Sequence, residues 1–210
     1  YDLSYQLLKK DKRSYILHNL QGIVNIHISK YDEAILNFRE AIKLNRNFFD
    51  PHNNLGQAYF KKGKLDLAIE NYKNALSIKK NSYIVYTNLA KVYYLRKEFS
   101  NSFECLNKSL AIEPSFEESL NLLREFLILR LQFSKANKNL YEPIINLIKK
   151  QQLVQPKYIA HSVVNLLKRD NDLVELIYKE LNNTHDTQLI EDLSKLSNIS
   201  SFVISITGSS

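Results

Sequence analysis

The chain is expected to be all-α, an α-solenoid of helix pairs followed by a C-terminal helical extension, and three observations carry that expectation. Residues 52–82, HNNLGQAYFKKGKLDLAIENYKNALSIKKNS, read as two amphipathic helices around a Lys62-Gly63 break. Large and small apolar residues alternate on one face of each, and Gly56, Ala68 and Ala75 are small enough to let two helix backbones approach closely. Such a pair cannot cover its own apolar face, so it needs neighbours. The pattern indeed recurs 34 residues away in both directions. Gly56, Ala68, Tyr72 and Ala75 correspond to Gly22, Ala34, Phe38 and Ala41, and His52 to His18; ahead, Leu55, Gly56, Tyr59 and Tyr72 correspond to Leu89, Ala90, Tyr93 and Leu106. Finally, four Gly and four Pro in 210 residues leave little turn chemistry for a β protein.

Taken in order, residues 1–14 read as the remnant of a preceding repeat's second helix, with Asp11 to Arg13 as the turn. The first full copy spans residues 15–48, with helices over 15–28 and 31–44 and a break at Ser29 to Tyr31. The second spans residues 49–82, and Asp50 and Pro51 serve as its N-cap and first helical residue. The third spans residues 83–116: Lys97-Glu98 replaces the break, Ser102 and Ser109 replace both Ala, and Pro114 closes the second helix. In the first copy Gln21 and Asn25 replace a Leu and a Tyr. Ser115-x-x-Glu118 has the spacing of a capping box and opens FEESLNLLREFLILRLQF, which is apolar on more than one face and is therefore expected to be covered on both sides. The extension over residues 117–198 loses the register near residue 135 and continues as shorter helices at about 142–153, 156–169, 172–183 and 187–197. Residues 199–210, ending SFVISITGSS, alternate like a strand but have no partner strand in this chain, as expected of a frayed tail or equally of the first part of a further domain.

No run of about 18 apolar residues is present, so no membrane span is expected. One cysteine, Cys105, excludes an internal disulfide framework and suits a reducing, cytoplasmic setting. With no methionine and a start at Tyr1-Asp2-Leu3, the chain is expected to be a piece of a longer protein. Charge is uneven: residues 1–116 hold 18 Lys and Arg against 11 Asp and Glu, an excess of 7, whereas residues 117–210 hold 11 of each. The cations are scattered lysines such as Lys61, Lys62, Lys64, Lys79 and Lys80, with no compact basic run, so nucleic acid is not the expected partner.

Catalytic patterns are absent from the sequence. Gly22, Gly56, Gly63 and Gly208 stand too far apart for a phosphate-cradling loop. His18, His27, His52, His161 and His185 show no metal-ligand spacing, and His18 and His52 fall at an aromatic core position of the repeat. No G-x-S-x-G turn occurs, and Cys105 lies mid-helix. Glu117-Glu118 and Glu191-Asp192 suit first or exposed turns. No cofactor, metal or catalytic residue is expected.

The spacing His52-x-x-Leu55-Gly56-x-x-Tyr59, then Ala68, Tyr72 and Ala75, with Pro114 closing the last copy, resembles the tetratricopeptide repeat over residues 15–116. That resemblance implies a concave groove lined by the first helix of each repeat, in which an extended peptide or a partner helix lies. Carried over residue by residue, the groove consists of Ile16, Asn19, Ile23, Ile26 and His27 in the first copy. The second copy contributes Asn53, Asn54, Gln57, Phe60 and Lys61, and the third Thr87, Asn88, Lys91, Tyr94 and Leu95. Asn54 and Asn88 stand in matching places, similar to the asparagine ladder of arrays attached to some glycosyltransferases, where amides hold a peptide backbone. Co-chaperone members hold a C-terminal carboxylate with two Lys or Arg and two Asn, but Asn19, Ile23, Asn54, Ile84 and Asn88 occupy those places here, so chaperone C-terminal tails are not expected partners. The expected function is a non-catalytic protein–protein interaction module. The alternative is the recognition arm of a methyltransferase or glycosyltransferase type enzyme whose catalytic domain lies elsewhere, since PKYIAHSVVNLLKRDNDLVELI is similar to connectors that precede such domains.

Overall fold

The computed structural model of the chain describes residues 6–7, 11, 13–128 and 143. Most of the remnant helix at 2–10, the helices expected beyond residue 135 and the strand-like tail lie outside the described residues. Among those residues there are seven helices and no strand: α1 (Tyr15–His27), α2 (Tyr31–Leu44), α3 (Phe49–Lys61), α4 (Leu65–Ile78), α5 (Tyr83–Leu95), α6 (Phe99–Ile112) and α7 (Glu117–Ile128). The chain divides into two compact units, Tyr1–Ile112 and Glu113–Ser210. Within the first, each helix packs against the next, and the first helices of successive pairs also touch, α1 with α3 and α3 with α5.

Each pair is closed by the same turn, and the turn explains why the helices end where they do. Ser29, Gly63 and Lys97 have φ of 60°, 71° and 61°. The next residue then donates back five places: Lys30 N to Asn25 O at 2.8 Å, Lys64 N to Tyr59 O at 2.9 Å and Glu98 N to Tyr93 O at 2.9 Å. This is the Schellman arrangement, which satisfies the last carbonyls of α1, α3 and α5. Only the middle copy has the glycine that this backbone favours, so Ser29 and Lys97 hold a left-handed conformation that costs an ordinary residue about 1 kcal/mol or more.

Two helix starts differ from expectation. α3 begins at Phe49 with Phe48 as N-cap, so Asp50 and Pro51 are the second and third helical residues. Pro51 is tolerated there because the first N–H groups of a helix have no intrahelical acceptor, and Asp50 compensates the positive end of the macrodipole. Ser14 and Ser82, 34 residues either side of Phe48, do cap: their Oγ atoms accept from Leu17 N and Val85 N. The capping box at Ser115 does not form. Ser115 Oγ and N both donate to the Glu113 carboxylate, which holds that carboxyl below its ordinary pKa, and α7 starts at Glu117. Its Leu120, Leu122, Leu123, Phe126 and Leu127 are buried on more than one face.

The seam inside each pair is set by one close contact. An added Cβ on Gly22 would stand 2.4 Å from Phe38 Cε1, and one on Gly56 would stand 2.7 Å from Tyr72 Cδ1 and Cε1. Phe38 and Tyr72 are fully buried, as are Ala34, Ala41, Ala68 and Ala75 beside them. In the third pair Ala90 and Leu106 hold the corresponding places and are both fully buried, so a Cβ is present where the residue on the second helix is smaller. There Ser102 and Ser109, the replacements for Ala, are buried with partners: Ser102 Oγ donates to Ala90 O at 2.7 Å, and Ser109 Oγ lies 3.0 Å from Tyr83 O. Across pairs, Lys62 bridges to Asp32 and Arg96 to Asp66, the same contact one repeat later. His18 and His52 are half-buried and polar-bonded instead of core aromatic residues. His18 Nδ1 lies 3.4 Å from Asn37 Oδ1, and His52 Nε2 donates to Arg46 O at 3.1 Å.

Candidate functional site

The faces of α1, α3 and α5 that look away from their pair partners form the candidate site. Their side chains are placed by the seam just described: Gly22, Gly56 and Ala90 turn towards the second helices, which turns the residues two before and one after them outwards. Along this face two amide pairs bridge neighbouring first helices. Asn54 Nδ2 on α3 donates to Asn19 Oδ1 on α1 at 3.0 Å. Asn88 Nδ2 on α5 donates to Asn53 Oδ1 on α3 at 3.2 Å. Both pairs are 35 residues apart, so the residue at one place binds the residue one further along in the next repeat. Asn54 and Asn88, in matching places, therefore do not contact each other but each lean back to the preceding helix.

Pairing fixes the amide planes without exhausting them. Asn54 uses one N–H and retains its Oδ1; Asn88 does the same, and Asn19 and Asn53 retain their amide N–H groups. Asn19 is itself only 6 % exposed, whereas Asn53, Asn54 and Asn88 are half-buried. A segment crossing these helices thus meets two carbonyl acceptors held in equivalent orientations.

The remaining expected residues divide. Gln57 and Lys61 are exposed, and Phe60, Lys91 and Tyr94 are half-buried. Phe60 packs against the core with part of its ring, and Tyr94 meets Phe99 edge-on at 5.7 Å. Thr87 is the correction. It is 1 % exposed and turned towards α6: its Oγ1 lies 2.9 Å from Tyr83 O and 2.8 Å from Ser109 Oγ, so it does not line the face. Thr87 shares the place of Asn19 and Asn53, but Ser109 has entered the seam where Ala41 and Ala75 stand, and the short Thr hydroxyl completes that buried cluster.

Burial governs the titratable thiol and phenol of the core. Burial pushes the Cys105 thiol up to about 11, opposite to the direction that activates a thiolate. Burial also raises the Tyr72 hydroxyl. Among the described residues no group of three or more His, Cys, Asp or Glu could hold a metal ion, and no helix is long and apolar enough to cross a membrane.

Residues 28–63 and 56–97 match the sequence profile of the family described as TPR repeat. This segment of the chain is tetratricopeptide-repeat sequence, and the fold is an all-α tetratricopeptide solenoid, a class that serves in general as a protein–protein interaction module. Two solved structures share the fold. One is the first TPR of Spaghetti (RPAP3) bound to HSP90 peptide SRMEEVD, at 20 % identity, covering 55 % of this chain and 91 % of that one with a TM-score of 0.52. The other is the crystal structure of MamA, at 18 % identity, covering 73 % of this chain and 86 % of that one with a TM-score of 0.58. No curated protein sequence matches the chain.

Proposed function

We propose that the chain is a non-catalytic interaction module that holds an extended segment of a partner protein across α1, α3 and α5. The observation that carries this reading is the pair of cross-repeat amide bonds, Asn54 to Asn19 and Asn88 to Asn53. They pre-orient two backbone-type acceptors at the cost of no extra side-chain ordering on binding, which is where affinity for extended segments is usually lost. Gln57, Lys61, Lys91, Phe60 and Tyr94 border that floor. The test is affinity capture of partners from source-cell lysate, followed by mass spectrometry, with the chain and its Asn54→Ala/Asn88→Ala variant. A partner held by the chain and lost by the variant supports the reading; partners indifferent to the change refute it.

Acidic chaperone tails are not the proposed ligand, although the Spaghetti structure holds one. Ile23 and Ile84 occupy places where co-chaperone members present polar or cationic groups, and Asn residues supply no positive charge to a terminal carboxylate. Titration of the chain with a labelled SRMEEVD peptide is expected to show no saturable binding; micromolar affinity would overturn this part of the reading.

A further inference from the structure

We infer that the partner segment crosses α3 and α5 as a left-handed polyproline-type helix, rich in proline, with a backbone N–H kept at every third residue. The inference rests on the groove reading above and adds the conformation and composition of its partner. The acceptors left over from the amide pairs, Asn54 Oδ1 and Asn88 Oδ1, belong to matching places on α3 and α5, and each amide is held by its Nδ2 bond to the preceding first helix. These two helices touch, so the acceptors are offset by one step between packed helix axes, about 8–10 Å. A β-strand does not match that step: its N–H groups on one side recur every second residue, about 6.4–6.8 Å apart, and the residue about 10 Å along points its N–H the other way. An α-helix has free N–H groups only in its first turn. A polyproline helix has three residues per turn and a rise of about 3.1 Å, so one face returns after about 9.3 Å with its N–H unbonded.

A second row on the same face has the same step. Phe60 and Tyr94, half-buried and again in matching places, stand six residues beyond Asn54 and Asn88, which is about 9 Å along each helix axis. The aromatic row therefore runs beside the acceptor row from α3 to α5, and aromatic-lined grooves are what proline-rich segments dock into. Proline at the two residues between successive donors loses no hydrogen bond, because those N–H groups are not used. It also fixes φ near −65° before binding, which lowers the ordering cost of an extended segment. In α1 the two places hold Leu20 and Ile26, which offer neither an amide nor a ring, so the pattern asks for two donors.

The test is fluorescence-anisotropy titration of the whole chain with three labelled dodecapeptides: four Pro-Pro-Gln units, proline throughout, and four Gly-Ser-Gln units. The first keeps an N–H at every third residue of a preformed polyproline helix, the second removes those donors, and the third keeps every donor without the preformed helix. The Pro-Pro-Gln peptide is expected to bind about tenfold more tightly than either control. Methylation of the backbone nitrogens of its two central glutamines should abolish that advantage, and so should Asn54→Ala/Asn88→Ala in a chain shown by circular dichroism to remain folded. A Gly-Ser-Gln peptide that binds as tightly as Pro-Pro-Gln and is lost in the asparagine variant overturns the polyproline inference and leaves the groove reading standing. All-proline binding as tight as Pro-Pro-Gln overturns the role of the two acceptors, and with it the inference. Peptides held equally by the asparagine variant overturn both readings. No saturable binding of Pro-Pro-Gln overturns the inference alone, because the groove reading is decided by capture from lysate.

Discussion

The close contact between Gly56 and Tyr72 makes a quantitative prediction about what holds each pair together. Gly56→Ala gains about 1 kcal/mol of helix propensity. It also places a Cβ 2.7 Å from two atoms of a buried ring, and overpacking of that kind costs about 1–3 kcal/mol. A net loss of about 1 kcal/mol is expected. Tyr72→Leu removes a fully buried ring and should cost about 2–3 kcal/mol through lost contact and cavity. The double variant recreates the Ala90–Leu106 pair of the third repeat, so the new methyl occupies space that the ring has left. Its loss should fall short of the sum of the single losses by about 1–2 kcal/mol. Urea unfolding followed by circular dichroism at matched protein concentrations measures all four proteins of the cycle. Additivity within about 0.5 kcal/mol would refute the claim that the ring excludes the Cβ, and so would an alanine that stabilises the chain.

Three further outcomes follow from the same geometry. Lys97→Gly should stabilise the third pair by about 0.5–1 kcal/mol in thermal unfolding, and Gly63→Ala should destabilise the second by about 1 kcal/mol, because both positions require positive φ. Cys105, raised from 9.0 to about 11, should react with iodoacetamide at pH 8 about a hundredfold more slowly than a free thiol, and urea should remove the protection. Asp32 has its pKa lowered, chiefly by the hydrogen bond from Lys62, so the stability it contributes is complete above its unfolded pKa and is lost as pH falls through the depressed folded value. Acid titration of melting temperature should therefore differ between the chain and Asp32→Asn only above that acid range, and the difference should shrink in high salt.

The 34-residue period, the helix pairs and the Gly–aromatic seams were legible in the sequence because each repeats a local pattern whose spacing is set by helix geometry. The turns were less so. Ser29 and Lys97 adopt φ near 60° because the stacked pairs over-determine the chain there, and neither residue type signals such a backbone. Asp50-Pro51 looks like a helix start in isolation, but α3 reaches back to Phe49, and Ser115 prefers a carboxylate two residues away to the helix beyond it. In the candidate site, the asparagines could be named, but their partners could not. Periodicity places Asn54 opposite Asn88, whereas the amides join residues 35 apart. The Asn53-Asn54 doublet was the available signal, since it supplies one acceptor forward and one donor back from the same helix. Thr87 turned inward because of Ser109, a coupling between two helices that no single-helix face displays.

The decisive measurement is site-specific photocrosslinking in source-cell lysate, with benzoylphenylalanine at Gln57 on the α3 face or at Leu36, the 66 % exposed residue on α2. A partner crosslinked from Gln57, absent from Leu36, and lost when Asn54→Ala/Asn88→Ala is combined with the Gln57 probe is the predicted result. The same partner crosslinked from Leu36, or retained at Gln57 in the asparagine variant, would contradict the assignment of the first-helix face as the working surface.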